Sequence, residues 1–171
     1  MSKKDYVLTM ARHNMWQNES LILAADTLSD DDRKKDRGSF FGSIQKTFSH
    51  ILWGDQLWLS RFSGTNAPDG GIPESLVFFS GWKDFQRERA RFDKVILDWA
   101  RNVDPDWFVG DLTWYSGAMG RDVTTPKAML AIQLFNHQTH HRGQIHAMLT
   151  SAGAKPGDTD VQFIPDRYQN L

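Results

Sequence analysis

The chain contains no cysteine. That absence excludes disulfides, thiolate metal ligands and a cysteine nucleophile, and it suits a reducing cytoplasm, the setting expected for this protein. Long apolar runs are missing as well. Nothing approaches the roughly 18 residues of a membrane span, so no membrane partner is expected. The opening MSKKDYVLTMARHN lacks the apolar stretch of a signal peptide. A basic surplus is also absent: 20 Lys and Arg against 21 Asp and Glu leave a formal charge of −1, with both signs mixed along the chain. Such a balance offers no electrostatic footprint for nucleic acid. Repeats and low-complexity tracts do not occur.

What is present suits one globular domain, residues 1–171. A chain of this length buries roughly 70% of its unfolded surface, so it needs no crosslink or metal to fold. Seven Trp and eleven Phe make large rings a major part of the packing.

Four segments carry helical periodicity. The first runs from about Lys3 to Leu28, with Leu8, Ala11, Met15, Ile22 and Ala25 on one stripe, Asn18 among them and Asn14 on its shoulder. Ser29 and the mixed-charge run Asp30–Arg37 read as a solvated connection. The second helix spans about Ser43 to Phe62 on Ile44, Phe48, Ile51, Trp58 and Phe62, with Gly64 placed to stop it. A long connection through Pro68, Gly70, Gly71 and Pro73 then crosses the molecule. Ser80 is a candidate N-cap for a third helix, about Gly81 to Arg101, carried by Trp82, Phe85, Phe92, Ile96 and Trp99. Leu112–Tyr115 and Arg121–Thr124, flanking Ser116–Gly120, predict a short β-hairpin. The last helix starts near Thr125 with Pro126 at its first position and ends before Gly153. Beyond Lys155 the tail reads as extended. Helices joined this way indicate an all-α four-helix bundle with one long crossover connection.

Three of the six histidines, His137, His140 and His141, fall within five residues on the last helix. At about 100° and 1.5 Å per residue, His137 and His141 lie about 40° apart in azimuth and about 6 Å apart along the axis. They share the apolar stripe of Leu130, Leu134, Ile145 and Met148, so two imidazoles can converge on one ion. His140 is rotated toward the edge, and His146 lies roughly opposite His137. A site with an open coordination position generally has three protein ligands. His50 and His13 are the candidates for the third. Position favours His50, with Gly54 one turn on leaving room beside an imidazole. A histidine pair on a core stripe can also be a hydrogen-bonded core feature, and spacing alone leaves both readings open.

Asn136-His137-Gln138-Thr139-His140-His141-Arg142-Gly143-Gln144 resembles the C-terminal signature of the DinB family, within the DinB/YfiT-like superfamily. Asn14-Met15-Trp16-Gln17-Asn18-Glu19 is similar to that family's first-helix motif. Gly42-Ser43-Ile44 with Phe48-Ser49-His50-Ile51-Leu52, continued by Asp55, Trp58 and Arg61, is similar to its second. Gly153 followed by Asp158-Thr159-Asp160 resembles the closing segment. The likeness covers nearly the whole chain. It implies a four-helix bundle, often a homodimer, with one divalent metal ion, zinc or nickel, on three histidines: His50 from the second helix, and His137 and His141 from the last.

Three neutral imidazoles would leave the ion's charge uncompensated, so it would acidify a bound water or hold a thiol as thiolate. Two enzyme readings follow, a thiol S-transferase using an external low-molecular-weight thiol and a hydrolase, each acting on a small molecule. A metal-anchored binding or sensor module and a purely structural ion are the alternatives. Asn14, Asn18, Asp55 and Gln144 could accept the N–H that a ligating imidazole leaves over. Arg142 could bind an anionic substrate, and Trp16 and Trp114 could line a pocket mouth. Each has a plainer role: Asp55 as a buried partner of Arg61 or Arg142, Asn14 and Asn18 as interhelical hydrogen bonds, Arg142 on a solvated face, the indoles in the core. No Glu stands beside the histidine pair and no nucleophile elbow surrounds a serine, which disfavours peptidase and serine-triad chemistry.

Overall fold

Ser2 starts the first helix through a reciprocal cap. Its hydroxyl accepts the N–H of Asp5, and the Asp5 carboxylate accepts the N–H of Ser2. The computed structural model describes residues 1–171. It contains α1 (Lys3–Asp26), α2 (Asp30–Lys34), α3 (Ile44–Ser63), α4 (Ile72–Ser75), α5 (Trp82–Asn102), β1 (Asp111–Ser116), β2 (Arg121–Pro126), α6 (Lys127–Ser151) and α7 (Asp166–Gln169). The protein is therefore mostly helical, with one small antiparallel sheet of two strands in which Trp114 faces Val123. No helix is long and apolar enough to cross a membrane.

The four long helices pack in a closed order: α1 against α5 and α6, and α3 against α5 and α6. A single cluster of 27 buried apolar residues fills the space between them. Gly64, at φ 71°, ends α3 in the left-handed conformation that a residue without Cβ adopts freely. Gly153, at φ 86°, ends α6, where the N–H of Ala154 returns to the carbonyl of Leu149.

Several local expectations are corrected. The buried face of α1 runs through Val7, Ala11, Asn14, Asn18, Leu21 and Ala25, whereas Leu8, Met15 and Ile22 sit half-buried on its flank. Apolar residues mark that face poorly because it carries two amides into the core. The mixed-charge run after Ser29 is not wholly solvated. It forms the short α2, and Arg33 is buried, donating to the carbonyls of Ala25 and Leu28 at the C-terminal end of α1. Gly81, not Ser80, caps α5; the Ser80 hydroxyl bonds the Asp84 carboxylate instead. Pro126 closes β2 and caps α6 rather than occupying its first turn. The tail is not simply extended: it makes a 3-10 turn at Val161–Phe163 and then α7, whose buried Tyr168 bonds Glu19 of α1.

A chain of buried polar groups links all four long helices. Asp55 on α3 accepts from Arg89 of α5 (2.5 Å) and from Gln138 of α6 (2.8 Å). The other terminal nitrogen of Arg89 lies 2.8 Å from Asp93. Asp93 also accepts from Asn14 (3.1 Å) and Asn18 (2.8 Å) of α1. Arg142 of α6 closes the chain by donating to the Asn14 carbonyl. Burial pushes Asp93 up to about 6, with Arg89 and Asn18 pulling it back, and draws Arg142 down to about 10. Two carboxylates and two guanidiniums balance, which makes their burial tolerable. Sequence reasoning passed over Arg89, although it falls on the stripe of Phe85, Phe92 and Ile96. Asp55 therefore pairs with Arg89, not with Arg61 or Arg142.

Removing one member strands its partners in a medium that cannot solvate them. Arg89→Met is expected to destabilise the fold by about 3–5 kcal/mol, measured by urea unfolding. A loss below about 1 kcal/mol would show that these charges are solvated and do not hold the helices.

Candidate metal centre

The site is built where α3 crosses α6. His137 and His141 project from one face of α6, and His50 meets them from α3. The ring of His137 rests on Gly54, where a Cβ would stand 3.0 Å from its Cε1. A residue larger than glycine there would push the imidazole away or hold the helices apart. The Nε2 atoms of His50 and His137 are 3.2 Å apart, and one ligand nitrogen from each of the three rings lies within 4.8 Å of the others. Nitrogens at about 2.0–2.1 Å in a tetrahedral zinc site stand about 3.3 Å from one another. The His50–His137 spacing fits that edge. His50 and His141 are buried and His137 is partly so.

Hydrogen bonds set which nitrogen of two rings carries the lone pair. The Ser75 hydroxyl donates to the carbonyl of Ile72 (2.6 Å), so toward His50 it can only accept. His50 is thus protonated on Nδ1, and its Nε2 lone pair faces the cluster. The Gln144 side-chain oxygen accepts from His141 Nδ1 at 2.8 Å, which leaves His141 in the same tautomer. Nδ1 of His137 is buried without a partner. Burial, reinforced by the neighbouring His141, holds His50 down at about 4. Burial with His141 and His50 holds His137 at about 3. His141 is lowered chiefly by burial, opposed by Gln144. At neutral pH three uncharged imidazoles therefore converge, His50 and His141 with their lone pairs on Nε2 and His137 with its Nε2 within hydrogen-bond reach of that of His50. The donor set fits a divalent ion, which nitrogen ligands bind well.

One side of the triad is closed. Phe41 lies 4.2 Å from the His50 ring and 5.3 Å from that of His141, centre to centre. Trp53, which lines the open side, stacks on His50 from 6.1 Å. The other side opens into a cleft of about 650 Å³ whose walls include His50, His137, Trp58, Arg61 and Trp114. No carboxylate lines it.

The remaining sequence candidates divide. Gln144 supports His141 directly. Asn14, Asn18, Asp55 and Arg142 do not touch the triad; they belong to the buried polar chain. Arg142 is 4% exposed and lies neither on a solvated face nor in the cleft. His13 points away, its Nε2 meeting the carbonyl of Thr159 in the tail at 2.8 Å. Trp114 lines the cleft, whereas Trp16 packs edge-on to His13. His140 stays exposed beside Gln144. Sequence reasoning missed Ser75, which reaches the site from the long connection, and Phe41. Neither position carries a local signal for its role.

Helical architecture and a buried three-histidine group together define a protein fitted to bind a metal ion between two helices. The chain belongs to the DinB family, whose model matches residues 1–170. It is also similar to the protein named "Protein DinB" of Bacillus subtilis (strain 168), with 24% identity over 157 residues, 91% of each chain.

Elemental analysis of purified variants checks the site. His50→Ala, His137→Ala and His141→Ala should each lose most of the bound metal, while His13→Ala and His146→Ala keep it. Gly54→Ala should gain helix propensity, about 1 kcal/mol, yet bind metal more weakly because its methyl displaces His137. Equal metal content across all of these would remove the site from these residues.

Proposed function

We propose that His50, His137 and His141 hold one divalent ion, zinc or nickel, and that the protein is a metal-dependent enzyme acting on a small molecule. The primary reading is a thiol S-transferase using an external low-molecular-weight thiol; a hydrolase is the second branch. The observation that carries this is the 650 Å³ cleft, which reaches two of the three histidines and so leaves one side of the ion open to a ligand. A purely structural site is normally closed by four protein ligands, and this group has three. When bound, the ion supplies Lewis acidity that lowers the pKa of a thiol or water.

The chain's own residues do the rest. Ser75 and Gln144 orient two imidazoles. Phe41 keeps water from the closed side, and Trp53 stacks on His50 from the wall of the cleft. The cleft offers neither a carboxylate base nor a thiol, so the nucleophile comes from outside, and a thiol, which ionises more readily than water, suits a site lacking a base. In this reading the fold is a single four-helix bundle domain, working as a homodimer in the cytoplasm without a nucleic-acid partner. The near-neutral charge supports the last point.

Zinc- or nickel-loaded protein with 2-mercaptoethanol and 1-chloro-2,4-dinitrobenzene tests the transfer branch. The thiol gives its proton to buffer, its sulfur forms the new C–S bond, and chloride leaves with the electron pair. Catalysis above background, lost in His137→Ala, is the expected result. Ester panels test the hydrolase branch in parallel. Metal-loaded protein inert in both would contradict an enzymatic role.

A further inference from the structure

Arg61 is a partly buried cation without an anion. It lies in the last turn of α3 and lines the cleft that reaches His50 and His137. Its guanidinium sits 4.7 Å from the Trp58 ring and 5.3 Å from the Trp114 ring. It makes neither a hydrogen bond nor an ion pair, and burial is the one influence on its ionisation. The other buried arginines have polar partners: Arg33 backbone carbonyls, Arg89 two carboxylates, Arg142 Asn14 and Thr139. An unpaired guanidinium, partly out of water and held against two indoles, is preorganised to receive a planar, bidentate anion.

The cleft favours such a guest. It is lined by no acidic side chain, so its one formal charge is that of Arg61. Helix geometry also separates the two ends. Arg61 follows Gly54 by seven residues, two turns that bring it to within about 20° of the same face and about 10 Å farther along α3. The ring of His137 lies on Gly54. A ligand touching both ends is therefore extended and has two functional ends.

We infer that Arg61 binds a carboxylate on the small molecule that occupies the cleft, whose other end, a thiol sulfur, is held at the three-histidine site. This rests on the thiol reading above and narrows it to carboxylate-bearing thiols long enough to reach from the histidines to Arg61, two helical turns beyond Gly54. Arg61 is a specificity-determining residue that binds the end of the ligand remote from the reacting sulfur.

Cobalt(II)-loaded protein tests this by binding alone, because sulfur coordination to cobalt gives a charge-transfer absorption band. The probes are 6-mercaptohexanoate and the neutral 6-mercaptohexanol, which share length and thiol. Wild-type protein should bind the acid at least tenfold more tightly than the alcohol. Arg61→Gln should erase that preference by weakening the acid while leaving the alcohol unchanged. Arg61→Lys, which keeps the charge and much of the stem packing, should restore part of it. Equal binding of acid and alcohol by the wild type, or a preference that persists in Arg61→Gln, overturns the role of Arg61 and leaves the metal–thiol reading intact. No band from either thiol with cobalt bound overturns the metal–thiol reading and the two-ended ligand with it.

Discussion

The hydrogen bond from Gln138 to Asp55 fixes how α3 and α6 lie against each other, and the site depends on that register. Asp55 follows Gly54 and Gln138 follows His137, so the bond locks the level at which the His137 ring meets the bare backbone of Gly54. A slip of one turn, about 5.4 Å, would carry His137 and His141 away from His50. Asp55 can serve in this way because Arg89 neutralises it, and Arg89 in turn engages Asp93, which holds Asn14 and Asn18 of α1. A lock made of buried charges is directional in a way that apolar packing is not. Leu134 or Ile51 can tolerate a shifted neighbour; a desolvated carboxylate cannot.

Neighbouring residues on each helix thus face different surroundings. Gly54 and His137 look toward the cleft, while Asp55 and Gln138 look into the polar core. The core side sets position, and the cleft side faces whatever enters the cleft. His137 Nδ1 lacks a partner, and Arg61 lacks an anion. Unmet bonding capacity of this kind is costly in a folded chain and collects where ligands bind.

Much of this was legible in the sequence, and the misses have physical reasons. The long helices and the hairpin follow from periodicity and from glycine and proline placement. The histidine pair follows from helical spacing, and His50 from its place beside Gly54. The buried face of α1 was misassigned because periodicity counts apolar residues, while Asn14 and Asn18 are buried by partners on α5 that no local pattern reveals. The same limit applies to Asp55: a buried arginine partner was expected for it, but choosing Arg89 over Arg61 and Arg142 requires three helices in space. Ser75 lies 25 residues from His50 in an irregular connection, so its hydroxyl comes to the imidazole through tertiary folding alone.

The central claim is that three imidazoles from two helices share one ion. X-ray absorption spectroscopy at the metal edge of the loaded protein tests it most directly. The account predicts three imidazole nitrogens at about 2.0–2.1 Å, with the remaining coordination supplied by light exchangeable ligands. A spectrum showing one imidazole or none, or a shell of protein oxygens, would contradict it.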